Sequence, residues 1–147
     1  MALYLDKISG SRRIEISSRI GERQPLRSTG LGKALLLDES EESMREVYAR
    51  EAKEWPDYGV SEAIWLERMR HYKSAGYAFD LEENEDRIRC VAAPIRDASN
   101  HIIGSISVSS AAQYMDDARM KALTDRVIET VHAISAEFGW SERHQKS

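Results

Sequence analysis

Residues 88–109 read IRCVAAPIRDASNHIIGSISVS. Two apolar runs, 88–95 and 102–109, flank a polar six-residue connection at 96–101. Aliphatic and small residues alternate along the second run, so its side chains sort to two faces with period two. The pattern predicts an antiparallel hairpin. If Ile95 faces Ile102, Cys90 lies opposite Ser107 and Ala92 opposite Ser105. One face then carries Ile88, Cys90, Ala92, Ser105, Ser107 and Ser109. The other carries Arg89, Val91, Ala93, Ile95, Ile106 and Val108. A register error by an even number of residues leaves these faces intact. The first face is small and weakly polar, and something must fill the volume above it. Two occupants fit: large side chains from a helix, with the hydroxyls bonded to nearby carbonyls, or a ligand. Ligand pockets are mostly apolar with a few placed polar groups.

Outward from the hairpin, helices and short strands alternate. Residues 2–8 and 13–19 alternate apolar and polar positions across a Gly10-Ser11 turn and read as a second hairpin, with Leu3, Leu5, Ile14 and Ile16 as its apolar set. Residues 21–32 are a loop broken by Pro25 and glycines, followed by a short helix capped by Ser28 or Thr29. A helix follows Ser40, and another runs from Ser61 as N-cap to Gly76 as C-cap, with Ile64, Trp65, Met69 and Tyr72 as its stripe. Residues 77–80 form a strand and 81–87 an acidic turn. The strongest helix spans 116–139, with Leu123, Val127, Val131, Ile134 and Phe138 as its stripe. Mixed helices and mainly antiparallel strands predict an α+β domain around one central sheet.

The chain has 147 residues, 41% hydrophobic and 31% charged, with a net charge of −4. One domain of this length buries roughly two thirds of its unfolded surface. The acidic balance lacks the basic stripe of a nucleic-acid module. The short cluster Arg68, Arg70, His71 and Lys73 sits among glutamates and reads as a solvated helix face. A single cysteine, Cys90, rules out an intrachain disulfide and fits a reducing cytoplasm. The first residues lack the basic-then-apolar form of a signal peptide. No apolar run nears the ~20 residues needed to cross a bilayer. A cytoplasmic protein is expected.

Three motifs invite chemistry. RSTGLGKA (27–34) has Arg and Ala where a phosphate-binding loop needs Gly and Ser or Thr, so that reading fails. The glycines still permit close backbone approach, and a helix start suits a carboxylate. DLEENED (80–86) holds five carboxylates. Its spacing matches no calcium loop, so it reads as a solvated acidic turn, with Asp80 the one member able to point inward. Cys90 as nucleophile would need a base, and His71, His101, His132 and His144 are scattered. No catalytic set, metal site or cofactor is expected.

Three segments together resemble the effector-binding domain of the isocitrate-lyase-regulator (IclR) family of bacterial transcription factors. They are RIGERQPLRSTGLGKALL (19–36), GYAFDLEENEDRIRCVAAPIRDASNHIIGSISVSS (76–110) and AISAEFGW (133–140). The likeness spans the chain in order. It implies a GAF-like α+β domain, a curved and mainly antiparallel sheet with helices on its faces. It also implies a small-molecule sensor, usually of organic, aromatic or sugar acids. The ligand would sit on the sheet under the Gly-x-Gly-Lys loop. The matching positions are Thr29, Gly30, Leu31, Asp80, Cys90, Ser107 and Ser109. Gln24 lies in the same loop, and Ile16 and Arg13 on the strand before it are weaker candidates.

The likeness places the effector-binding domain at 1–140, N-terminally incomplete, with a polar tail at 141–147. The family's winged helix-turn-helix has no counterpart in the chain, so DNA contact is expected only of a full-length parent. The expected partners are a small carboxylate effector and further copies, as a dimer or tetramer; no membrane is expected. One competing reading is a truncated regulator that forms mixed oligomers with full-length relatives. Another is an enzyme using Cys90.

Overall fold

In the computed structural model, residues 1–12 and 16–143 are described. Two short strands, β1 (Ala2–Leu3) and β2 (Arg23–Gln24), pair antiparallel. Helices α1 (Gly30–Leu35), α2 (Glu41–Glu54) and α3 (Glu62–Ala75) follow. Strands β3 (Ala78–Leu81), β4 (Ile88–Arg96) and β5 (Ile102–Ala111) form an antiparallel sheet in that order. A 3-10 turn (Ala112–Tyr114) leads into α4 (Asp117–Glu137). The α+β expectation holds, with one layer of helix on each face of the sheet.

The caps show why the helices begin where they do. The side chains of Thr29, Ser40, Ser61 and Asp116 each accept a hydrogen bond from an amide of the first turn, satisfying donors that have no intrahelical acceptor. Gly76 closes α3 at φ 80°, a left-handed conformation that glycine adopts without strain.

The β4–β5 hairpin forms, but its register differs from the expected one by two residues. Cys90 faces Ser109, Ala92 faces Ser107 and Pro94 faces Ser105. Two steps add up to this shift: Arg96, not Ile95, pairs with Ile102, and a bulge then leaves Ile103 as an extra residue before Ile95 pairs with Gly104. The shift is even, so both faces keep the expected composition. Val91 and Ala93 pack with Met120, Val127 and Val131 of α4. The second core lies among α1, α2, α3 and β3, around Leu37, Met44, Trp65, Leu66 and Met69.

Other expectations change. The expected hairpin of 2–8 with 13–19 falls partly on 13–15, which lie outside the described residues; among those described, β1 pairs with Arg23–Gln24 and 16–19 form no strand. The arm also buries the opposite set of side chains. Leu3 and Leu5 are exposed, whereas Ala2 is buried and Tyr4 half-buried. The buried stripe of α4 is Met120, Thr124, Val127, Val131 and Ser135, and Phe138 is exposed because the helix has ended at Glu137. In α3, Ile64 is exposed and Leu66 takes its place inside.

Gly32 is fixed by contact. A Cβ there would lie 2.6 Å from the carbonyl oxygen of Leu26 and 2.7 Å from the Thr29 hydroxyl, whereas one on Gly10 would meet nothing within 4 Å. Gly32→Ala should therefore lower stability by roughly 2–3 kcal/mol, a typical cost of overpacking. Gly10→Ala should leave it nearly unchanged. Urea denaturation midpoints of the two variants check this, and equal midpoints would refute the contact.

Candidate functional site

The small face of the sheet is occupied by backbone. A Cβ on Gly30 would come within 3.3 Å of the Cβ atoms of both Cys90 and Ala92. The first turn of α1 therefore sits directly on the strand. Ser105 donates to the carbonyl of Leu31 at 3.0 Å, which pins the same turn to β5. The helix itself fills this part of the face, because its glycine lets it come close. What the helix leaves less covered is the end of the face bearing Ser107, Ser109 and Cys90, all half-buried.

At that end the candidate residues converge. The Cys90 sulfur and Ser109 hydroxyl are 2.8 Å apart. Asp80 is paired directly with Cys90 across β3 and β4. Asp80 is buried, and its Oδ1 accepts from the amides of Glu83 at 2.8 Å and Asn84 at 3.3 Å. Burial pushes its pKa up to about 6, against the lowering effect of those amides and of Lys33. Burial and the nearby Asp80 push the Cys90 thiol up to about 12. A nucleophilic cysteine needs the reverse, and the hydrogen-bond partner of this thiol is a serine, not a histidine.

The closing segment is held from behind. The buried carboxylate of Glu51 accepts from the amides of Leu26 at 2.7 Å and Arg27 at 2.9 Å. The Arg27 guanidinium lies over the rings of both Tyr48 and Tyr58, which are inclined to each other, and donates to the carbonyls of Glu51 and Trp55. The Trp65 indole donates to the Arg27 carbonyl at 2.8 Å. Thr29 donates to Pro25 O at 2.6 Å and caps Gly32 N at 3.0 Å. Lys33 joins this segment to the acidic turn: its ammonium lies 2.6 Å from Glu83 and 2.7 Å from the Phe79 carbonyl, in a setting where both charged side chains are almost fully buried. Burial lowers the Lys33 pKa, and Glu83 opposes that.

The acidic turn is thus only partly solvated, contrary to the sequence expectation. Glu83 is drawn in by Lys33 and Tyr58, whose hydroxyl donates to it at 2.6 Å. Among the described residues no carboxylate, histidine or cysteine cluster has the arrangement of a metal site.

Of the remaining candidates, Gln24 is half-buried in β2 opposite Ala2, and Ile16 is half-buried with its carbonyl bonded to Lys7. Arg13 lies outside the described residues. Two residues were missed. The Tyr4 phenol is half-buried and raised to about 12 by burial first, then by Cys90 and Asp80. Glu85 accepts from the Ser17 amide and hydroxyl, tying the arm to the acidic turn. Tyr4 was legible in principle as the aromatic member of the alternation in the arm. Glu85 carried no signal distinct from its acidic neighbours. Two clefts, of about 520 and 350 Å³, lie away from this end of the face, and none of Cys90, Ser107 and Ser109 lines either.

With this geometry in hand, comparison with known proteins is informative. A family model described as "Bacterial transcriptional regulator IclR C-terminal" matches residues 1–136. The HTH-type transcriptional regulator XynR of Escherichia coli is 30% identical over 141 residues, covering 94% of this chain and 56% of that protein. The HTH-type transcriptional regulator BhcR of Paracoccus denitrificans is 32% identical over 143 residues, covering 96% and 50%. The crystal structure of Thermotoga maritima IclR superposes with a TM-score of 0.81 at 28% identity, covering 94% of this chain and 57% of that one. The chain thus spans about half the length of the curated relatives it matches. No helix among the described residues is long and apolar enough to cross a membrane. By its sequence and by its fold, the chain belongs to the IclR family of bacterial transcriptional regulators and corresponds to their C-terminal domain.

Proposed function

We propose that residues 1–140 are the effector-binding domain of a transcriptional regulator and that the effector is a small carboxylate bearing hydroxyls, such as a sugar acid. The observation that carries this is the meeting of unlike groups at one half-open shelf. The first turn of α1, the Ser107 and Ser109 hydroxyls and Asp80 all border Cys90. Helix-start amides at Thr29, Gly30 and Leu31 and two hydroxyls suit an acid group. Asp80 supplies the selectivity. Its Oδ1 is committed to backbone amides, so Oδ2 is the oxygen offered to a ligand hydroxyl. A bare carboxylate beside ionised Asp80 is repelled, whereas a bridging hydroxyl converts that repulsion into a hydrogen bond. Gln24 in β2 and Ile16 in the arm belong to the segments that would close over the ligand.

Calorimetric titration with hydroxy, keto and aromatic acids tests the reading. The hydroxylated acids should bind best. Ser107→Ala and Ser109→Ala should each weaken binding by about tenfold, the cost of an unmet hydrogen bond to a charged group. Absence of binding by every member of the panel to folded protein would overturn the proposal.

Asp80 also sets a pH dependence. Its carboxyl holds a proton more tightly when folded (about 6) than when unfolded (about 3.8). Above pH 6 it is ionised in both states and burial destabilises the fold by about 2–3 kcal/mol. That penalty shrinks as pH falls from 6 to 3.8. Asp80→Asn keeps an oxygen acceptor and removes the charge. It should raise stability at pH 7 by about 1–2 kcal/mol, and its advantage over the wild type should fade between pH 6 and 4. Urea midpoints across that range give the result, and a constant difference would refute the assignment.

A further inference from the structure

One buried network grips Asp80 from both sides along the chain. The Lys33 ammonium donates to the carbonyl of Phe79, the residue before it, at 2.7 Å. The Glu83 carboxylate accepts from the amide of Leu81, the residue after it, at 3.2 Å. Lys33 and Glu83 meet each other at 2.6 Å, so the two holds close into a ring. The Asp80 carboxylate is itself held, because its Oδ1 accepts from the Glu83 and Asn84 amides. Two hydroxyls from distant parts of the chain fix that turn: Tyr58 donates to the second Glu83 oxygen at 2.6 Å, and Ser28 to the Asn84 side-chain oxygen at 2.9 Å. Stability does not require this arrangement. Lys33 and Glu83 are almost fully buried, and a buried ion pair often does no better than apolar residues of the same volume. What the ring does fix is direction. A strand aspartate can choose among several staggered rotamers, and pinning Oδ1 to the turn leaves one direction for Oδ2.

We propose that Lys33 and Glu83 are positioning residues: they hold Asp80 in the one orientation from which its Oδ2 selects a hydroxylated ligand, so the selectivity of the shelf depends on them although both are closed off from solvent. This rests on the effector reading given above. Their charges are not the agent. Burial dominates the Asp80 pKa, and Lys33 and Glu83 act on it in opposite senses, so removing both together changes the field at Asp80 less than removing either. What is lost with the pair is the ring. The acidic turn is then released, its amides leave Oδ1, and the carboxylate samples other rotamers. A ligand hydroxyl would meet an acceptor that must first be ordered, at a cost in affinity. An acid without hydroxyls makes no such bond and is unaffected.

The test replaces the pair by apolar residues of similar size, Lys33→Met together with Glu83→Leu, in the 147-residue protein. No buried charge is then left without its partner, and Arg68, 3.7 Å from Glu83, is partly exposed and can turn to water. Circular dichroism and the urea midpoint should match or exceed those of the wild type. NMR couplings between the α and β protons of Asp80 should report one rotamer in the wild type and an average in the variant. Titrations with gluconate and hexanoate, acids of equal chain length with and without hydroxyls, should show the wild type favouring gluconate. The variant should lose about tenfold of that preference, all of it through weaker gluconate binding. A merely structural pair would leave couplings and preference unchanged once stability is restored. If the double variant does not fold, Tyr58→Phe, which removes one hold on Glu83 and no charge, should move both readouts in the same directions. A single Asp80 rotamer in the variant would overturn the proposal, as would averaged couplings with an undiminished preference. If the wild type binds neither acid, the effector reading fails, and the couplings alone decide whether the ring positions Asp80.

Discussion

The close approach of Gly30 to Cys90 and Ala92 is the contact on which the rest of the molecule depends. A helix usually stands about 10 Å from a sheet, held off by side chains on both surfaces. Here neither surface offers them: the helix presents a glycine and the strand presents small residues. The first turn of α1 therefore rests against the sheet, and its free amides lie level with the side chains of β4 and β5. Replacing either partner by a larger residue would lift the helix away and separate amides from hydroxyls. The small face that stood out in the sequence is thus a seat for backbone, which Ser105 holds through the Leu31 carbonyl, while Ser109 is bonded instead to Cys90.

Around this contact, buried charges fix the chain segment leading into α1. Unpaired buried charges are costly, and these are all paired or hydrogen-bonded. Glu51 takes two consecutive amides, Arg27 lies over two tyrosine rings, and Lys33 reaches Glu83. No single one of these would define a loop. Together they leave residues 25–33 little freedom, since each satisfied group would become an unsatisfied buried one if the segment shifted.

Local features were legible in the sequence. Caps at Ser40, Ser61, Thr29 and Gly76 act within a few residues, and the β4–β5 alternation needs only its own pattern. The register was not legible, because loop length alone does not show that Ile103 bulges out. The buried charges were not legible either. Glu83 and Glu85 are both acidic members of one turn, and only the position of Lys33, fifty residues earlier, decides which one goes inside. In α4 the expected stripe extended to Phe138 because the periodicity continues past the point where the helix ends at Glu137. Gly30, Asp80, Cys90, Ser107 and Ser109 come together through strand pairing and the helix contact, whereas Tyr4 depended on an arm whose pairing the alternation misjudged.

The Lys33–Glu83 pair has a consequence for how the domain meets its surroundings. Ion pairs on the surface, such as Arg45 with Glu62, weaken as salt accumulates around them, but a pair sealed from water is screened far less. The brace between α1 and the acidic turn therefore keeps its strength from dilute buffer to concentrated electrolyte. Osmotic stress that changes the ion content of a cell would weaken the exposed pairs first and this brace least.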